Sequence, residues 1–203
     1  TAFVESAARV TGPSLSGRML AGVPGIRTYC QSPQWADARW QYAGSVYEGF
    51  APGSMREVHH LTRVVVTLGS QRDYAFDRLV ARLVEVLPAD AEVLWQTGAT
   101  DGSRHGIHSV STMPADELQA AMAAADLVVA HAGVGSTLAA LDTGAHPVLV
   151  ARRAGHGEHV DDHQLEIAAQ LDGLGLATSC EPAEISTEVL LGAARRTVTR
   201  RAD

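Results

Sequence analysis

The sequence predicts an α/β protein built on a Rossmann-like, doubly wound parallel sheet. Three observations carry this. From Arg63 onward, β-branched runs alternate with amphipathic helical stretches. Several runs are apolar throughout, as in strands buried on both faces. Glycine or polar residues gather at their carboxyl ends. Strands alternating with helices pair in parallel through right-handed crossovers, with helices on both faces.

Val64-Val65-Val66-Thr67-Leu68, closed by Gly69, is the first strand. A helix over 74–87 places Phe76, Leu79, Val80, Leu83 and Val86 on one face, and Pro88 stops it. Strands follow at 93–96 and 107–112, then a helix from Asp116 through Ala125. The pattern continues with a strand at 127–130, a helix at 135–142, a strand at 147–151 and a helix at 163–171. A short strand at 177–179 and a helix near 186–196 close the chain.

Residues 1–57 have a different texture. Gly12-Pro13, Pro24-Gly25, Ser32-Pro33 and Pro52-Gly53 mark turns. Short strands are expected at 2–5 and 28–31 and a helical turn at 15–21. The expected organisation is an irregular segment 1–57 followed by a Rossmann-like domain at 58–203. The initial Thr1 suggests a piece of a longer protein.

A net charge of −7, with no long arginine cluster, argues against nucleic acid as a partner. No apolar run approaches the ~20 residues of a membrane-spanning helix. Cys30 and Cys180 are widely spaced and read as thiols in a reducing compartment, with a disulfide left open.

Parallel sheets bind ligands outside the carboxyl ends of their strands. Three loops there carry chemistry. In His131-Ala132-Gly133-Val134-Gly135-Ser136-Thr137, the glycines let a ligand approach the backbone. The helix start offers N–H groups to a phosphate, and His131 a hydrogen bond. The plainer alternative is an ordinary turn with Ser136 as helix cap. Gly69-Ser70-Gln71 is a second such turn, able to grip a diphosphate from the other side or to be a simple connection.

The third loop, 152–164, holds Arg152, Arg153, Glu158, His159, Asp162 and Gln164. Its guanidinium groups suit anions, and Gln164 is aimed at the cleft. His156, His159, Asp162 and His163 have metal-ligand chemistry, but not the spacing of a zinc helix. Sugar recognition therefore ranks above metal, and no metal is expected.

Thr67-Leu68-Gly69-Ser70-Gln71, Ala125 through Ser136, Gly144-Ala145-His146-Pro147 and Asp162-His163-Gln164 resemble, in order and spacing, the C-terminal domain of glycosyltransferase family 28, which has the GT-B fold. Within that family the likeness is to the catalytic subunit of the two-subunit dolichol-linked GlcNAc transferase and to bacterial exopolysaccharide relatives. Val4 through Arg9, Pro13 through Arg18 and Gln34-Trp35 resemble the tail of the N-terminal partner half.

The resemblance implies an inverting glycosyltransferase that moves a hexose, GlcNAc or uronic acid from a UDP-sugar to a lipid-linked saccharide. The UDP-sugar is substrate, and no cofactor or metal is implied. The turn 131–137 would hold the diphosphate, and Gly69 and Ser70 would face the same phosphates or the interdomain cleft. Met113 would lie beside the uracil, and Gln164 would read donor hydroxyls. The general base would come from an N-terminal GT-B half or membrane-recruiting subunit, at the cytoplasmic membrane face. Ala139 stands where many members carry a ribose-binding Glu; Asp142 lies on another face of that helix. Arg195, Arg196, Arg200 and Arg201 form a basic tail that could meet anionic lipid or complement a helix end.

Other readings are a non-catalytic UDP-sugar-binding partner subunit and a UDP-sugar epimerase-like enzyme. An NAD-binding protein is disfavoured: Gly133-x-Gly135 lacks the third glycine and follows the fourth strand.

Overall fold

The computed structural model describes residues 1–201, and the chain divides into two units between Gly49 and Phe50. In the first unit, β1 (Ala2–Val4), β2 (Arg27–Cys30) and β3 (Trp40–Tyr42) form a parallel sheet in the order β1-β2-β3. Helix α1 (Leu15–Ala21) lies between the first two strands in sequence. This part of the chain is therefore more regular than its turn-rich sequence predicts. Its strands are three or four residues long, too short to show a period. Buried Val10, Cys30, Trp40 and Tyr47 supply its core, and Trp40 packs edge-on against Phe3 and Trp35.

Glu5 is buried here. One carboxylate oxygen accepts the Ser14 N–H and hydroxyl, both at 2.9 Å, and the other accepts the Ser6 N–H at 3.0 Å. Ser14 in turn caps α1 by accepting the Gly17 N–H at 3.0 Å. Glu5 is thus a structural anchor for the helix start.

The second unit begins with β4 (Phe50–Pro52), which pairs antiparallel with the last strand, β10 (Val198–Arg200). That pairing moves the boundary from the expected residue 57 to residue 49, and places Arg200 of the expected basic tail in a strand. Arg200 pairs with Asp142 at 2.6 Å and lies over the Phe50 ring, while Arg195 donates to the Val58 carbonyl. The last two residues of the expected 58–203 domain lie outside the described residues.

The main sheet consists of β5 (Arg63–Thr67), β6 (Glu92–Gln96), β7 (Leu127–His131), β8 (Val148–Val150) and β9 (Thr178–Ser179). All pairs are parallel, in the order β6-β5-β7-β8-β9. Val64 and Val66 pack on one face with Leu79, Leu83 and Leu190, from α2 (Asp77–Val86) and α6 (Thr187–Ala194). Val65 packs on the other with Met122 and Ala140, from α3 (Ala115–Ala124) and α4 (Val134–Asp142). Two covered faces are why this strand reads as an unbroken apolar run. Helix α5 (His163–Gly173) packs beside β9.

The strand expected at 107–112 is absent. Val110 makes a single bridge to Gln96 and stays 43% exposed, so there is little apolar burial to reward extending the pairing.

His146, before β8, is buried with Nε2 3.0 Å from the Thr178 hydroxyl. Burial, then the nearby Arg196 charge, pushes its pKa down to about 4. Unfolding restores the ordinary value of about 6.5. Between these values the unfolded chain binds the extra proton, so stability falls as pH falls from 6.5 towards 4. The expected loss from this residue is about 2 kcal/mol at pH 5, read by urea unfolding at pH 7 and 5. The same difference measured in His146→Gln should shrink; an unchanged difference would exclude His146 as its source.

Candidate active site

The carboxyl ends of β5, β6 and β7 open onto a cleft of about 450 Å³. Thr67, Gln96 and His131 line it from the strand ends. Gly69, Ser70 and Gln71 line it from the loop after β5, and Gly135, Ser136 and Ala139 from α4. Thr112, Met113, Ala115 and Leu118 complete it. The structure thus brings together Gly69, Ser70, Gln71, Met113, His131, Gly135 and Ser136 from three separate sequence segments.

Glycine is required where the loops meet. Gly69 has φ +76°, and a Cβ there would lie 2.7 Å from His131 Cε1. A Cβ on Gly133 would lie 2.3 Å from His131 Nε2. Two loops from different strands thus make room for one imidazole.

The cap of α4 is Gly133, not Ser136, and it makes no side-chain hydrogen bond. The first-turn N–H groups of a helix have no intrahelical acceptor, and they carry the positive end of its dipole. Ser136 is left on the cleft wall, while Ala132 and Thr137 are buried beneath it and Val134 is half-buried. His131 Nδ1 and Thr137 Oγ1 are both buried without a hydrogen-bond partner. Burial, and then the Arg152 guanidinium, pushes the His131 pKa down to about 4. The ring is neutral at pH 7 and offers one N–H donor and one acceptor nitrogen.

The polar loop 152–164 does something other than expected. Arg153, Glu158, Asp162 and Gln164 do not line the cleft; their polar groups fold the loop. Buried Glu158 accepts two hydrogen bonds from Arg78, at 2.8 and 3.0 Å, and one from the Arg153 N–H at 3.0 Å. Arg153 pairs with Glu181. Asp162 accepts the Ala154 N–H at 2.8 Å, and buried Gln164 accepts the Arg152 N–H at 3.1 Å. Arg152, expected from its type and position to be an anion ligand, is fully buried and donates to the Leu68 and Tyr74 carbonyls. A loop this polar must satisfy its own groups before it can serve a ligand. His159 sits with Asp161 and His163, half-buried.

Gln96 is a cleft residue that the motifs do not single out. It is buried, accepts from the Thr67 hydroxyl, and donates to the Gly69 and Ser111 carbonyls at 2.7 and 2.9 Å. It ties two walls of the cleft together. A polar side chain closing the apolar run Val93-Leu94-Trp95 is the available signal. Ala139 lines the cleft, whereas Asp142 is held by Arg200 and does not line it. Both cysteines are free thiols. Among the described residues, no helix is long and apolar enough to cross a membrane.

The five-stranded parallel sheet, with its cleft at the carboxyl ends, is similar in fold to GT-B glycosyltransferases. Two of the solved structures that are similar illustrate it. One is MurG of Acinetobacter baumannii, with a TM-score of 0.60 and 15% identity over 95% of this chain and 60% of that one. The other is the glycotransferase of kitacinnamycin, with a TM-score of 0.53 and 20% identity over 88% and 52%. The chain belongs to glycosyltransferase family 28, whose C-terminal domain matches residues 63–200. A curated relative, the UDP-N-acetylglucosamine transferase subunit ALG13 of Yarrowia lipolytica, is 40% identical over 73 residues, which are 36% of this chain and 35% of the relative. The chain spans about a third of that relative's length in the match, and half to three fifths of the two solved chains.

Proposed function

We propose that this chain is the donor-binding half of an inverting hexosyltransferase that takes its sugar from a UDP-sugar. The observation that carries this is the junction of Gly69, Gly133 and His131 at the start of α4, where the glycine cap offers no side chain to the first-turn N–H groups. The site matches a leaving diphosphate: helix N–H groups and a neutral imidazole donor stabilise charge that grows as the glycosidic bond breaks. Met113, which also lines the cleft, is the proposed neighbour of the uracil. The name of the Yarrowia relative favours N-acetylglucosamine as the sugar.

The acceptor hydroxyl attacks the anomeric carbon from the opposite face, which inverts it. Among the described residues, no carboxylate lines the cleft, and Glu5 is committed to α1. The general base is therefore assigned to an N-terminal half or a membrane-recruiting subunit. That partner would also present a lipid-linked saccharide at the cytoplasmic membrane face, exopolysaccharide precursors among the candidates. An epimerase-like reading needs an acid–base pair, which the cleft lining does not offer.

Calorimetric titration with UDP, UDP-GlcNAc, UDP-glucose, UDP-glucuronate and NAD tests the proposal. UDP compounds should bind, NAD should not, and His131→Ala should weaken UDP about tenfold or more, the loss of one hydrogen bond to a charged group. NAD binding as tight as UDP would overturn it. Ala139, in place of a ribose-binding Glu, favours a second reading: a UDP-sugar-binding subunit that only activates a separate transferase. In the enzyme reconstituted with its partner, His131→Ala abolishes transfer under the first reading and leaves the maximal rate intact under the second.

A further inference from the structure

His159, Asp161 and His163 each offer one ligand-type atom, and these atoms all lie within 4.8 Å of one another. One Asp161 carboxylate oxygen faces Nδ1 of both rings, 3.3 Å from that of His159 and hydrogen-bonded to that of His163. The rings are held in place. They pack edge to face with centroids 4.8 Å apart, and His159 also lies against Tyr74. The side chains are 11%, 38% and 19% exposed in chain order, so the group is sheltered yet open on one side.

The geometry points to a divalent transition-metal site made by these two imidazoles and one carboxylate, with zinc the ion it fits first. Mixed nitrogen and oxygen donors suit zinc and its first-row neighbours, whereas magnesium and calcium take oxygen sets. Three protein ligands leave a coordination position for water or a bound anion. The carboxylate already lies between the imidazoles, so the donors are gathered before an ion arrives.

The sequence points to a different set. His156 is exposed and outside the group, and Asp162 is engaged with the Ala154 N–H. Asp161 takes its place because 159–162 is a bent segment, with His163 the first residue of α5. Spacing of i, i+2 and i+4 converges on a bend where it would diverge on a helix. None of the three residues lines the donor cleft, so the site does not depend on the donor reading.

The test uses the untagged full chain, stripped with EDTA. Zinc is titrated by calorimetry, and cobalt by visible absorption. One zinc equivalent is expected, with cobalt bands of a low-coordinate ion. Asp161→Asn and His163→Gln should each weaken zinc about 100-fold, at least what second-sphere changes cost metal sites, and His156→Ala should leave it unchanged. Ring NMR signals of wild-type His159 and His163 should shift on zinc binding, which reads the site without any substitution. The absence of saturable binding, ring signals that do not move, or binding lost with His156→Ala but kept in the other two variants, would overturn the site. UDP titration of the metal-free chain is separate, so either reading can fail alone.

Discussion

Replacing Arg152 with methionine is expected to cost the second unit about 2–4 kcal/mol. The guanidinium is fully buried, donates to the Leu68 and Tyr74 carbonyls at 2.9 Å each, and lies 5.0 Å from the Phe76 ring centroid. Methionine fills much of the volume but leaves both carbonyls bare, at roughly 1–3 kcal/mol each. Part of that is offset because a charge no longer has to be kept out of water. Burial is also the main influence on the Arg152 pKa and lowers it, while Glu158 raises it. The expected fall in melting temperature is roughly 5–15 °C, by scanning calorimetry. Arg152→Lys should recover little, because an ammonium cannot reach two divergent carbonyls as a planar fork does. A melting temperature within a degree or so of wild type would show that the carbonyls find other partners.

Gly133→Ala is expected to remove most UDP binding, by about 30-fold or more, roughly 2 kcal/mol, while leaving the fold intact. At φ −84° the backbone accepts alanine, so the cost is not conformational. The new methyl would stand 2.3 Å from His131 Nε2, and the imidazole must move. That ring is half-buried, and Gly69 also approaches its Cε1–Nε2 edge, at a distance a Cβ could not tolerate. The displaced ring is expected to lose its direction into the cleft. A double-mutant cycle isolates the cause: in a His131→Ala background, Gly133→Ala should cost little more. Equal losses in both backgrounds would mean that the methyl obstructs the ligand itself, not the histidine.

Much of the second unit is legible in the amino-acid sequence. A strand covered on both faces must be apolar at every position, so Val64-Val65-Val66 and Leu127-Val128-Val129 announce themselves and their parallel pairing. The Gly-rich turn after β7 is legible too, because a helix start that approaches a ligand closely leaves glycine where side chains would collide. The family resemblance rests on those same segments, and the family match spans 63–200.

The remainder depends on distances that sequence spacing does not encode. β4 and β10 are three residues each and pair across almost the whole length of the unit, which moves the domain boundary and draws Arg200 of the basic tail into a strand. The short strands of the first unit are defined only by one another. The loop 152–164 shows the same division within a site. Its composition determined that something polar and charged follows β8. Only the tertiary structure decided that Glu158 would meet Arg78, that Arg152 would go inside, and that Asp161 would join His159 and His163. Hydrophobic burial has a period that a sequence must carry residue by residue. Hydrogen-bond and ion-pair partners need only meet in space, so their pairing is settled when the chain has folded.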